Sequence, residues 1–238
     1  ILYKMKKNLN QKLINLIEYY NLINANLLIS ETPIKRNINK NIDSPGKTKS
    51  EKLESLKTSI KKIKNCELKK SAKNLVFGDG NIHAKIMIIG EGPGAQEDME
   101  GKPFVGRAGQ LLDKMLESIN LNRKKVYISN VVNYRPPQNR RPTEEEIERY
   151  FPYLVSHVEI ISPKILVLLG STALNAIVGN EQVISKARGK WIKKEIGTTE
   201  LLVIASFHPA FLMRQPEQKK FAWTDLKMIR EKAKILKI

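Results

Sequence analysis

The chain is poor in cysteine, in histidine and in long apolar runs: it has one Cys and three His among 238 residues. A lone thiol, Cys66, excludes an internal disulfide framework and fits a reducing cytosol. No apolar run has the length of a membrane span, and the N-terminus lacks the short apolar block and small-residue cleavage site of a secretory signal. A cytoplasmic protein is therefore expected.

Positive charge is abundant. The chain holds 42 Lys and Arg against 24 Asp and Glu, a net charge of +18. Nucleic acid or an anionic surface is the natural partner of such an excess. The charge is uneven: residues 1–73 carry 17 basic and 6 acidic side chains, and residues 74–238 carry 25 and 18. At 41% hydrophobic, the chain has ample material for a core.

Residues 9–30 space their apolar side chains as one amphipathic helix, and residues 31–50 have the composition of a linker. Residues 1–50 are thus expected to be an N-terminal extension, and residues 51–238 the main domain. A second helix is expected over 51–65, with Leu53, Leu56, Ile60 and Ile63 at spacings of three and four. From Leu75 onward strands alternate with helices. Strands are predicted at 84–90, 126–132, 164–170 and 200–207, and helices at 109–119, 143–161, 171–179 and 220–236. Such alternation implies a parallel sheet with helices on both faces and sites at the carboxyl ends of the strands.

Each motif begins where a strand ends. GEGPGAQEDMEGKPFVGRAG (90–109) combines six glycines, two prolines and four acids. A dinucleotide-binding turn is disfavoured. Pro93 removes an N–H from the cradle, the acids would repel a pyrophosphate, and the next predicted helix starts too late. A loop this long inside an α/β unit is usually functional. The stretch VYISNVVNYRPPQNRRPT (126–143) puts Asn130 at a strand end, ahead of Arg135, Asn139, Arg140 and Arg141. An amide presents donor and acceptor side by side, which suits a nucleobase edge, and arginines suit phosphates. Taken alone, the asparagine also reads as a turn cap and the arginines as a solvated face. In SFHPAFLMRQP (206–216), the proline would hold His208 rigidly at the sheet edge. Leu212, Met213 and Arg214 follow on an expected loop; exposed, they would form a wedge for a base stack, and buried, they would be ordinary core. GSTA (170–173), with Ser171, and ISKARGKW (184–191), with Lys186 and Arg188, offer further phosphate contacts.

Together, VFGDGNIHAKIMIIGEGPGAQEDMEGKPFVGRAGQLLDKML, VYISNVVNYRPPQNRRPTEEEIERYFPYL, ISKARGKW and HPAFLMR resemble the family 4 uracil-DNA glycosylases over about residues 60–236. The resemblance implies a monofunctional enzyme of base-excision repair that takes uracil from DNA and leaves an abasic site. The implied fold is a three-layer αβα sandwich around a short, mostly parallel four-stranded sheet. It assigns catalysis to Glu91, Asn139 and His208, and uracil binding to Gly92, Phe104 and Asn130. DNA contacts are expected from Arg135, Arg140, Ser171, Lys186, Arg188, Leu212, Met213 and Arg214. Glu97 and Asp98 are expected to brace the loop. The implied partner is uracil-containing DNA, bound by a monomer with no nucleotide cofactor and no membrane.

The chain departs from this family at its iron–sulfur cluster, which four cysteines normally hold. Only Cys66 remains, the other positions falling on Ile63, Tyr134 and Tyr150. One thiolate cannot hold a four-iron cubane, so no cluster and no other cofactor is expected. The rival reading is a degenerate homologue that binds DNA without cutting the glycosidic bond. Another is a DNA-coating or partner-docking protein acting through residues 1–73.

Overall fold

Thr48 caps the first described helix through a reciprocal box: its side chain accepts from the Glu51 N–H at 3.3 Å, and the Glu51 carboxylate accepts from the Thr48 N–H at 2.7 Å. The computed structural model describes residues 47–179 and 182–238. The amphipathic helix expected over 9–30, and the expected linker up to residue 46, lie outside the described residues. Helix α1 (Lys49–Lys61) starts two residues before the expected position because of that cap.

The chain continues through α2 (Glu67–Ser71), β1 (Asp79–Gly80), β2 (Ile86–Gly90), α3 (Ala95–Glu100), α4 (Arg107–Glu117) and β3 (Tyr127–Asn130). It then forms α5 (Glu144–Ile161), β4 (Ile165–Leu169), α6 (Ser171–Val178), α7 (Ile184–Ala187), β5 (Trp191–Ile196), β6 (Thr199–Ser206), α8 (Pro209–Arg214) and α9 (Lys219–Ile235). The six strands form one sheet in the order β1-β3-β2-β4-β6-β5. The four central strands run parallel, while β1 and β5 are antiparallel edges.

The two innermost strands, β2 and β4, are contiguous apolar runs because helices cover both sheet faces. Alternation along each strand feeds two cores. Met87, Ile89, Leu166 and Leu168 pack with Leu56 of α1, Val158 of α5 and Leu174 of α6. Ile86, Ile88, Ile165 and Val167 face the other way, towards Leu112 of α4 and Leu226 of α9. Both layers rest on the same period of two.

The expected four-stranded sheet is thus the parallel centre of a six-stranded one. WIKKEI of β5 has one buried residue, Ile196, and carries three charges, the pattern of a solvated edge paired with β6. β1 has just two residues. Neither carries a run of apolar side chains.

Candidate active site

β2 pairs with β3 on one side and β4 on the other, so the chain reverses direction across the sheet at the carboxyl end of β2. A crevice opens at such a point. Glu91 follows β2, Asn130 ends β3, Ser171 begins α6 directly after β4, and His208 lies between β6 and α8. A cavity of about 180 Å³ sits there, lined among others by Glu91, Gly92, Phe104, Asn130, Asn139 and His208. A cavity of about 150 Å³ can take one benzene ring, so this one is scaled to a single ring.

Asn130 is 3% exposed, and its amide nitrogen has no hydrogen-bond partner. A buried unpaired donor is costly, and within a cavity it marks a place for a ligand acceptor. Gly90 leaves the amide its space: a Cβ there would lie 2.5 Å from the Phe104 ring and 2.6 Å from Asn130 Oδ1.

Phe104 forms a wall and has a left-handed backbone at φ 55°. Several groups hold that conformation. The Arg123 guanidinium donates to the Pro103 carbonyl at 3.1 Å and also to the Phe104 carbonyl, while pairing with Asp79 at 2.9 Å and Asp113 at 2.8 Å. Glu97 accepts from the N–H groups of Val105 and Gly106 at 3.0 and 2.9 Å and from Gly94 at 3.1 Å. Asp98 is buried and accepts from Lys73 and Asn74 at 2.9 and 3.0 Å. The two acids brace the loop, as expected from the sequence.

His208 caps α8, its Nδ1 accepting the Ala210 N–H at 3.2 Å. That bond puts the proton of the neutral ring on Nε2. Burial, helped by Arg214, lowers the His208 pKa to about 4, so the ring is neutral near pH 7. Its centroid is 5.5 Å from that of Phe104.

Asn139 is exposed on the cavity rim in a left-handed conformation, and Arg135 Nε donates to its Oδ1 at 2.8 Å. Glu91 accepts from the Thr172 hydroxyl, and Arg141 Nε donates to the same hydroxyl at 2.9 Å. Neither Thr172 nor Arg123 is among the residues expected from the sequence.

The residues expected to contact DNA divide. Ser171, the first residue of α6, accepts from Arg141 at 3.3 Å. Arg140, on the rim, pairs through both nitrogens with Glu146 at 2.8 and 2.6 Å. Lys186 and Arg214 are exposed, and Met213 is partly so. Leu212 requires a correction: it is 1% exposed, on a helix where a loop was expected, and belongs to the core, so it is no surface wedge. Arg188 also turns inward. Its guanidinium pairs with Asp225, which is fully buried, and lies over the Phe207 and Phe221 rings.

This arrangement has known counterparts. Residues 77–227 match the family model of the uracil DNA glycosylase superfamily. The chain belongs to the uracil DNA glycosylase superfamily. A type-4 uracil-DNA glycosylase of Thermotoga maritima is 44% identical over 168 residues, covering 70% of this chain and 86% of that protein. Another, from Archaeoglobus fulgidus, is 41% identical over 185 residues, 76% of this chain and 93% of its own. A DNA polymerase of Bacillus phage SP01 also matches, at 31% identity over 153 residues, or 64% of this chain and 16% of the polymerase.

Within this superfamily fold, the four family-4 cluster positions do not present a thiolate set. Cys66 is 5% exposed, and its sulfur lies 3.3 Å from the Tyr150 hydroxyl, itself 1% exposed. Tyr134 is buried beside them, and Ile63 packs on the same core. One thiol, two phenols and an alkyl chain do not fit an iron–sulfur cluster. Burial raises the pKa of both phenols, which keeps them protonated. Among the described residues, no helix is long and apolar enough to cross a membrane.

Proposed function

We propose that this chain removes uracil from DNA by hydrolysing its N-glycosidic bond, as a monofunctional base-excision repair enzyme that leaves an abasic site. The observation that carries the reading is the buried, unpaired amide of Asn130 on the floor of a one-ring cavity, in a chain of this superfamily.

Inside a duplex the glycosidic bond is shielded by stacking, so the nucleotide has to be rotated out. Phe104 replaces the lost stacking, a contact worth about 1–3 kcal/mol per base. Asn130 then accepts from uracil N3–H and donates to O4. Cytosine presents the inverse pair and would leave buried donor facing donor, which is how the site tells the two apart.

As the C1′–N1 bond lengthens, the sugar gains positive and the base negative charge. His208, neutral with its proton on Nε2, donates to the developing charge at O2. The Glu91 carboxylate serves the sugar side of the bond, either stabilising the cation or orienting the attacking water. Asn139 supplies a further amide at the rim. Phosphate contacts come from exposed basic residues, Arg214 and Lys186 among them. The chain works as a cytoplasmic monomer without a cluster, Cys66, Tyr134 and Tyr150 filling that region by packing.

The test is cleavage of an oligonucleotide carrying one uracil, either single-stranded or opposite guanine, using the full chain with its iron content measured beforehand. Release of uracil, lost in Asn130→Asp and His208→Ala, is the expected result. Tight, salt-dependent binding with no release would favour the degenerate, DNA-binding reading.

A further inference from the structure

Glu91 is held by two residues that come from other parts of the chain. Its Oε2 accepts from the Thr172 hydroxyl. That hydroxyl oxygen accepts from Arg141 Nε at 2.9 Å, and Arg141 Nη2 donates to Ser171 Oγ at 3.3 Å. Arg141 Nε also lies 4.0 Å from Glu91 Oε2. Thr172 is 1% exposed, on the first turn of α6, whereas Arg141 belongs to the arginine-bearing loop after β3. The chain thus reaches across the crevice from both neighbours of β2 to grip one oxygen of one carboxylate. Among the described residues, Oε1 takes no protein hydrogen bond and is left to the cavity.

We infer that Thr172 and Arg141 are positioning residues for Glu91, fixing the rotamer that aims its free oxygen at the sugar. This rests on the glycosylase reading of the site. A hydroxyl has one proton to donate, and Arg141, a donor without acceptor capacity, fixes where it goes. With Arg141 on its lone pair, Thr172 must direct its proton to Glu91. The chain Arg141 to Thr172 to Glu91 therefore has one polarity. Small errors in such placement are costly to rate while leaving binding intact.

The role separates from phosphate binding by what changes. A phosphate contact alters the affinity for DNA and its salt dependence. A positioning residue alters the rate of the bound complex.

The experiment uses the full chain with uracil-containing oligonucleotide under single-turnover conditions, protein in excess. Thr172→Val is expected to slow cleavage at least tenfold, with the Kd for the same DNA changed less than twofold. Thr172→Ser, which keeps the hydroxyl, is expected to restore most of the rate. Arg141→Met, at a half-exposed position, is expected to slow cleavage several-fold at saturation. In a Glu91→Gln background the Thr172→Val change is expected to add nothing. Thr172→Val and Arg141→Met rates within twofold of the parent would overturn the inference while leaving the glycosylase reading intact. So would equal losses in Thr172→Ser and Thr172→Val, or an Arg141→Met effect confined to Kd. A parent protein that releases no uracil would overturn both.

Discussion

The rings of Phe104 and His208 stand 5.5 Å apart with their planes tilted by 31°, one following α3 and the other following β6. They form two walls of one cavity, so a ring stacked on Phe104 brings an edge to the imidazole. Neutral His208 carries its proton on the nitrogen not used by Ala210. Removing one such donor to developing negative charge costs about 10²–10³ in rate. His208→Ala is expected to lose that much in single-turnover cleavage, with Kd for uracil-containing DNA altered only slightly.

The histidines also set a pH dependence of stability. Burial lowers His157 to about 3 and His208 to about 4, against an ordinary value of 6.5. Below 6.5 the unfolded chain takes up protons that the folded chain refuses, so stability is full above 6.5 and is lost as pH falls towards 4. Each histidine contributes a slope of about 1.4 kcal/mol per pH unit in that window. Urea denaturation at pH 6 and pH 5 measures it. His157→Gln, which keeps a partner for the Tyr127 hydroxyl at 2.9 Å in the native chain, should remove about half the histidine slope.

Gly90 tests the cavity floor. A methyl group there would meet the Phe104 ring and the Asn130 side chain at 2.5 and 2.6 Å, both of them contacts with side-chain atoms. Gly90→Ala is expected to reduce cleavage more than 100-fold while costing about 1–3 kcal/mol of stability, an ordinary overpacking cost. Parallel thermal melts and cleavage assays distinguish a blocked pocket from an unfolded chain.

The central strands were legible because runs such as IMIIG and ILVLL have no reason to be apolar on both sides unless both sides are covered. Glu97 and Asp98 were legible because two acids in a turn-rich loop of a basic chain need backbone donors. Arg123 was not. It sits in NRKK, and nothing local distinguishes it from the adjacent solvated lysines; its partners lie ten to forty-four residues away. Arg188 misled for the same reason, since a basic loop gives no sign that one guanidinium finds Asp225 on α9. Thr172 is silent in sequence because its role depends on β2 and β4 being neighbours, a fact of topology.

Arg123 makes a sharper prediction than its position suggests. It holds the Pro103 and Phe104 carbonyls and two carboxylates with one planar fork. Lysine keeps the charge but cannot satisfy that geometry. Arg123→Lys is expected to lower stability by about 1–3 kcal/mol and to raise KM for uracil-containing DNA more than it lowers kcat, because Phe104 is released before the reacting groups are. Steady-state kinetics with thermal melts check both parts.

The Cys66 and Tyr150 pair carries the last prediction. Both are buried, and the Tyr150 hydroxyl has the sulfur of Cys66 at 3.3 Å. A phenol is the stronger hydrogen-bonding group of the two and loses more when its partner is removed. Cys66→Ala leaves the hydroxyl without the sulfur and opens a small void, for a cost of about 1–3 kcal/mol. Tyr150→Phe removes the hydroxyl and leaves a thiol that behaves as a small apolar group, so it should cost under about 1 kcal/mol. A cluster ligand would behave in the opposite way: prolonged treatment with an iron chelator and reductant would unfold the protein, and Cys66→Ala would mimic that treatment. Here the chelator is expected to leave both the melting temperature and uracil release unchanged, with Cys66→Ala destabilised but still active. Chelator-sensitive melting would show that metal, held in some other way, is what stabilises this corner of the fold.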